Sequence, residues 1–137
     1  MKTINNPKRK VSVTNQRSYF DWTDGMQVGR KGNGEIAMTE SELVKFFGVT
    51  WRKLNHRLKT IIKSSSLHPD ERVAGEEGIK KGKTVSYSPL YPLPTIIALS
   101  FLLDSTEAHL FRKYVCQRVQ KPASVITPVF LFGSTDN

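Results

Sequence analysis

Acidic residues are missing from Leu43 to His68, a stretch that holds Lys45, Arg52, Lys53, Arg57, Lys59 and Lys63. A solvated helix usually mixes both signs so that neighbours pair, so a one-sign stretch points to a polyanion as partner. Cysteine is almost absent as well. Cys116 stands alone, which excludes an internal disulfide, and it is expected as a small packed residue in a helix. The three histidines, His56, His68 and His109, have no ligand spacing, so no metal site is expected. Long apolar runs are lacking too: Pro89 to Leu103 holds three prolines and is too short to span a bilayer. No hydrophobic leader core follows the basic start, Lys2 to Lys10, so a cytoplasmic protein without a membrane partner is expected.

Catalytic pairs are equally scarce. Glu40 and Glu42 fall in a helix-capping turn, and Glu76-Glu77 falls in a glycine-rich loop, where dipole and solvent account for them. Gly82-Lys83-Thr84 is similar to the end of a phosphate-binding loop, but that motif needs a glycine at position 77, which is Glu77, and a helix after Thr84, where a strand is expected. The expectation is no enzyme, no cofactor and no small-molecule substrate.

What is present is positive charge and helical periodicity. Lysine and arginine total 21 against 12 acidic residues in 137, a net charge of +9, the electrostatic footprint of a nucleic-acid binder. Thr39 can cap a first helix and Glu42 can complete a capping box; Leu43, Val44 and Phe47 share one face, and Gly48 can end it. Thr50 can then cap a second helix whose core face is Leu54, Leu58, Ile61 and Ile62. Trp51, Arg52, Asn55, His56 and Lys59 lie opposite, with Arg57 at the border. Two short helices broken at a glycine are the sequence form of a helix-turn-helix.

The flanks extend this plan. Residues 1–18 read as a flexible basic arm, either laid along phosphates or disordered without a role. Met26 to Arg30 and Glu35 to Met38 flank Lys31-Gly32-Asn33-Gly34 and predict a β-hairpin. Arg72 to Ala74 and Thr84 to Ser88 predict a second pair of strands joined by a glycine-rich link carrying Lys80, Lys81 and Lys83. Such a hairpin can act as a wing on phosphates, or its lysines can simply guard an exposed edge. Pro94 to Leu103 and Ser105 to Gln120 predict two further helices, the last with an apolar stripe of Ala108, Phe111, Val115 and Val119. Val125 to Phe132 forms an apolar tail that can fold back, pair with a second subunit or lead to another domain.

Two segments together resemble the RhuM-like family, DNA-binding proteins of bacterial mobile elements related in style to phage antirepressor domains. One is the helix-turn-helix with Phe46-Phe47-Gly48-Val49-Thr50 at its turn; the other runs from Tyr91 and Leu93 through Ile96-Ile97-Ala98 and Ser105 to Phe111-Arg112 and Tyr114. The chain departs from the family pattern at Val44, at Pro92 and Pro94, and at Ser100-Phe101-Leu102. The resemblance covers roughly Met26 to Val119 and implies transcriptional or mobile-element regulation.

The expected architecture is α+β: a winged helix-turn-helix domain over residues 19–121, with an N-terminal hairpin and two C-terminal helices, between the arm and an apolar tail at 122–137. The expected function is sequence-specific binding of double-stranded DNA. Arg52, Asn55 and His56 are expected on bases, Lys53, Lys59, Lys80, Lys81 and Lys83 on phosphates, Arg57 on either, and Trp51 on sugar or packed against the first helix. The alternative is a protein-interaction module on the same scaffold, with a homodimer as one form.

Overall fold

The computed structural model describes residues 16–64 and 66–121, and over them the chain is an α+β fold with four helices. The basic residues Lys2 to Lys10 and the apolar tail lie outside the described residues. No helix among the described residues is long and apolar enough to cross a membrane.

The first hairpin pairs β1 (Tyr19–Thr23) with β2 (Gln27–Lys31), in register from Tyr19 opposite Lys31 to Thr23 opposite Gln27. This corrects the expected hairpin around Lys31 to Gly34. Its turn is Asp24-Gly25-Met26 instead, with Gly25 at a φ of 65°, a conformation that glycine adopts without Cβ strain. The upstream strand wins because Phe20 and Trp22 share its inner face and both stack on Phe46, with ring centroids 5.8 and 5.0 Å away. The Gly32 to Gly34 loop serves another purpose: a Cβ at either glycine would collide with the Gln16 or Arg17 backbone, and the Gly34 amide donates to the Gln16 carbonyl. Arg17 and Ser18, expected in the arm, are therefore bound into the fold. Ser18 is fully buried and bridges Ile36.

β3 (Ala37–Met38) pairs not with the hairpin but with β6 (Tyr91–Pro92), which joins the start of the helix-turn-helix to the C-terminal helices. The helical expectations hold closely here. In α1 (Glu40–Phe47) the Thr39 hydroxyl accepts from the Glu42 amide at 3.2 Å and the Glu42 carboxylate accepts from the Thr39 amide at 2.9 Å, completing the capping box. Gly48 ends α1 at a φ of 62°, and Thr50 accepts from the Lys53 amide to start α2 (Trp51–Lys63). Leu43, Phe46 and Phe47 of α1 meet Leu54, Leu58 and Ile61 of α2 in one buried cluster, with Phe46 buried where Val44 was expected, and Val44 and Ile62 only half-buried.

The second hairpin differs from expectation. Arg72 to Ala74 is not a strand; the stretch expected as a link is itself β4 (Glu76–Lys81), paired with β5 (Thr84–Pro89) across the two-residue loop Gly82-Lys83. Arg72 is drawn away from any ladder, its guanidinium donating to the Leu67 and Ser64 carbonyls. Gly78 lets the Tyr87 ring lie over it, 3.3 Å from where a Cβ would sit. The alternation of Val85 and Tyr87 with Thr84, Ser86 and Ser88 marks β5 as expected, whereas Glu76 to Lys81 has no alternating apolar signal, and from Gly78 to Tyr87 every residue is exposed.

α3 (Leu93–Leu102) carries Pro94 in its first turn, and α4 (Thr106–Gln120) is capped by the Ser105 hydroxyl, which accepts from the Ala108 amide at 3.1 Å. Arg112 crosses back to the Ser100 and Leu103 carbonyls and so satisfies the end of α3. Phe111 occupies the centre of the core, within 5.8 Å of the rings of Phe20, Phe46 and Phe47. The expected α4 stripe stops short. Ala108 and Phe111 are buried and Val115 is half-buried, but Val119 is 78 % exposed and Cys116 is exposed rather than packed. α4 has 15 residues against 10 in α3, so its last turns outrun the helix it packs on.

Candidate nucleic-acid interface

α2 presents its outer face because its inner one is committed to the core. Leu54, Leu58 and Ile61 recur at helical spacing and are buried, which turns Arg52, His56, Lys59 and Lys63 outward at i, i+4, i+7 and i+11 as one exposed stripe. A 13-residue helix is about 20 Å long. The stripe therefore offers donors along its whole length. Lys63 was missing from the expected contacts although its spacing from Arg52 places it on the same line.

Asn55 and Arg57 stand differently. Both are half-buried: at about 100° per residue Asn55 borders the stripe on the Ile62 side, whereas Arg57 lies on the other side beyond Lys53, beside buried Ile61. Trp51 opens the helix at 58 % exposure, and its Nε1 donates to Oε1 of Glu40 at 3.0 Å. The other oxygen of Glu40 accepts from the Tyr91 hydroxyl at 3.3 Å, so one carboxylate ties the starts of α1 and α2 to β6. Burial first, and then the Glu40 charge, push the Tyr91 phenol above its ordinary range and keep it a donor.

The one-sign character of the sequence is moderated in space. Lys53 Nζ donates to Asp104 Oδ1 at 3.1 Å, from the turn between α3 and α4. That hydrogen bond first, with the Lys53 charge and the more distant Arg57, holds the Asp104 carboxyl below its usual value. Lys53 is therefore the one candidate phosphate contact on α2 that already has an anionic partner among the described residues.

Lys80, Lys81 and Lys83 form a second basic group at the tip of the β4–β5 hairpin, all exposed. Cross-strand partners share a face, so Lys80 stands with Val85, Gly78 and Tyr87, whereas Lys81 stands with Ile79, Thr84 and Ser86. Gly82 turns the tip at a φ of 62° with nothing near it, and a strand follows, so its amides do not open onto a helix N-terminus. The two groups are joined through the base of the hairpin: Arg17 contacts Glu77 in β4 and Glu42 in α1. Neither Arg17 nor Asp104 carried a local signal in the sequence, because each pairs with residues far along the chain.

An apolar groove lies beside the end of α2, lined by Thr60, Ile61, Leu67, Ala98, Phe101 and Leu102 and enclosing about 340 Å³. Phe101 is 62 % exposed at its rim. Comparison with protein-family models, with curated proteins and with solved structures gives no match to this chain.

Proposed function

We propose that the protein is a winged helix-turn-helix DNA-binding protein that lays the outer face of α2 in the major groove of a duplex. The observation that carries this reading is the uninterrupted exposed stripe of Arg52, His56, Lys59 and Lys63 behind a glycine turn. Arg52 and His56, near the helix start, suit base edges; Lys59 and Lys63 suit phosphates. Asn55 reaches the groove from one margin of the stripe, Arg57 from beyond Lys53 on the other side. Lys80, Lys81 and Lys83 serve as the wing on the flanking backbone. The RhuM-like resemblance adds a role in mobile-element or transcriptional regulation inside the cell.

The test is a salt titration of affinity for a labelled duplex. Affinity falls linearly on a log–log plot, and replacing Arg52, Lys59 and Lys63 with alanine reduces the slope by roughly 2, the share of the two phosphate-binding lysines. Lys53→Ala costs less than Lys59→Ala, because Asp104 already offsets Lys53. No duplex binding at low salt sinks the proposal. A protein-interaction module is the second reading, favoured by the Phe101 groove; there, partner binding survives the triple alanine variant and is lost in Phe101→Ser.

A further inference from the structure

Arg17 sits where three parts of the chain meet, and every donor of its guanidinium is engaged. Nε and Nη2 donate to Oε2 and Oε1 of Glu77 at 2.8 Å, Nη1 and Nη2 donate to Oε1 and Oε2 of Glu42 at 2.9 Å, and Nη1 also donates to the Ala37 carbonyl at 2.8 Å. The five N–H groups of an arginine are thereby used in full. Only 9 % of the side chain is exposed. Burial works against the charge, but the hydrogen bonds that Arg17 donates to Glu77 and Glu42, together with their charges, outweigh it and hold the guanidinium protonated.

The position of the carboxylates gives this contact its meaning. Glu42 belongs to the first turn of α1, and Glu77 is the second residue of β4. From Gly78 to Ser86 the hairpin is exposed and buries no side chain, so the contacts at its base, Arg17 with Glu77 among them, bear directly on its direction. We infer that Arg17 is a positioning residue for nucleic-acid binding: by holding Glu77 and Glu42 with one planar group, it fixes the lysine-tipped hairpin at a set angle to α1 and α2, so that hairpin and helix engage one duplex together. The consequence for binding rests on the DNA-binding reading above, whereas the clamp itself does not. A lysine keeps the charge but cannot present two parallel pairs of donors in one plane.

Two measurements on the full chain test this. Nitroxide labels at Cys116 and at Ser86→Cys, both exposed positions, report the distance from α4 to the hairpin by double electron–electron resonance. The distance distribution is narrow in the parent and broadens in Arg17→Lys and in Glu77→Gln, while circular dichroism keeps the helical signal. Unchanged distributions in both variants overturn the clamp. Glu77→Gln, at a more exposed site than Arg17, decides the matter if Arg17→Lys fails to fold. The second measurement is the salt slope. Replacing Lys80, Lys81 and Lys83 with alanine lowers it by roughly 2 to 3 in the parent, and by less than about 1 in the Glu77→Gln background. Equal losses in both backgrounds overturn the coupling. A parent chain that binds no duplex overturns the DNA-binding reading alone, since the distance measurement still decides the clamp.

Discussion

The helix-turn-helix and the β4–β5 hairpin carry the two basic groups of this protein, yet their positions are determined in opposite ways. α1 and α2 are started by their own caps, stopped by their own glycine or serine, and held by three buried side chains each. The hairpin has a tight turn and a full backbone ladder but buries nothing between Gly78 and Tyr87. Its placement depends on contacts at the base, with Arg17 and between Ala74, Gly75 and Leu90. A basic group built into the core is rigid by packing, whereas one on a solvated ribbon is rigid only as far as its root.

Five substitutions sharpen this contrast. The largest effect is expected for Phe111→Ala, which opens a cavity under α1 and should cost about 3–5 kcal/mol in urea denaturation; a loss below about 1 kcal/mol would mean that the core does not organise around this ring. Gly48 and Gly82 come next as a matched pair, each at a φ of 62°. Alanine in that conformation costs about 1–2 kcal/mol, and at Gly48 the new Cβ must also displace the Glu107 carboxylate, 2.6 Å away. Gly48→Ala should therefore lower the global melting temperature, while Gly82→Ala, which carries the same φ strain at an exposed tip that can fray without the core, should lower it less. Equal shifts at the two sites would erase the distinction.

Smaller still is Asp104→Asn. It releases Lys53, so the salt slope of duplex binding should steepen by up to about 1; a shallower slope would show that Lys53 is held in a useful pose by its partner. Val85→Thr ends the series, with a stability change within about 0.5 kcal/mol in thermal melts. A larger cost would reveal that the hairpin face is packed on something.

The same contrast explains what the amino-acid sequence disclosed. Both caps, the Gly48 turn and the buried faces of α1 and α2 follow from residues three or four apart, so they were legible. The strands were less so. β1 and β2 meet around Asp24-Gly25 rather than at the expected Asn33-Gly34 turn, because the upstream pairing lets Phe20 and Trp22 stack on Phe46. β4 reads as a charged loop because it buries no apolar side chain and is exposed from Gly78 to Lys81. Within the site, the Arg52 to Lys63 stripe follows from helical periodicity, and so does the half-buried setting of Arg57, which falls beside Ile61. The pairings Arg17 with Glu77 and Lys53 with Asp104 span 60 and 51 residues, beyond any local rule.

The two tryptophans provide an optical consequence of the Trp51–Glu40 contact. Trp22 is stacked on Phe46 with its indole N–H given to the Phe46 carbonyl at 2.6 Å, whereas Trp51 stands largely in solvent at the head of α2. Their emission should differ in colour and in access to a soluble quencher such as iodide. Any ligand that settles on α2 would dim or shield the red component and leave the blue one untouched, so the unlabelled chain carries both a reporter and its internal standard.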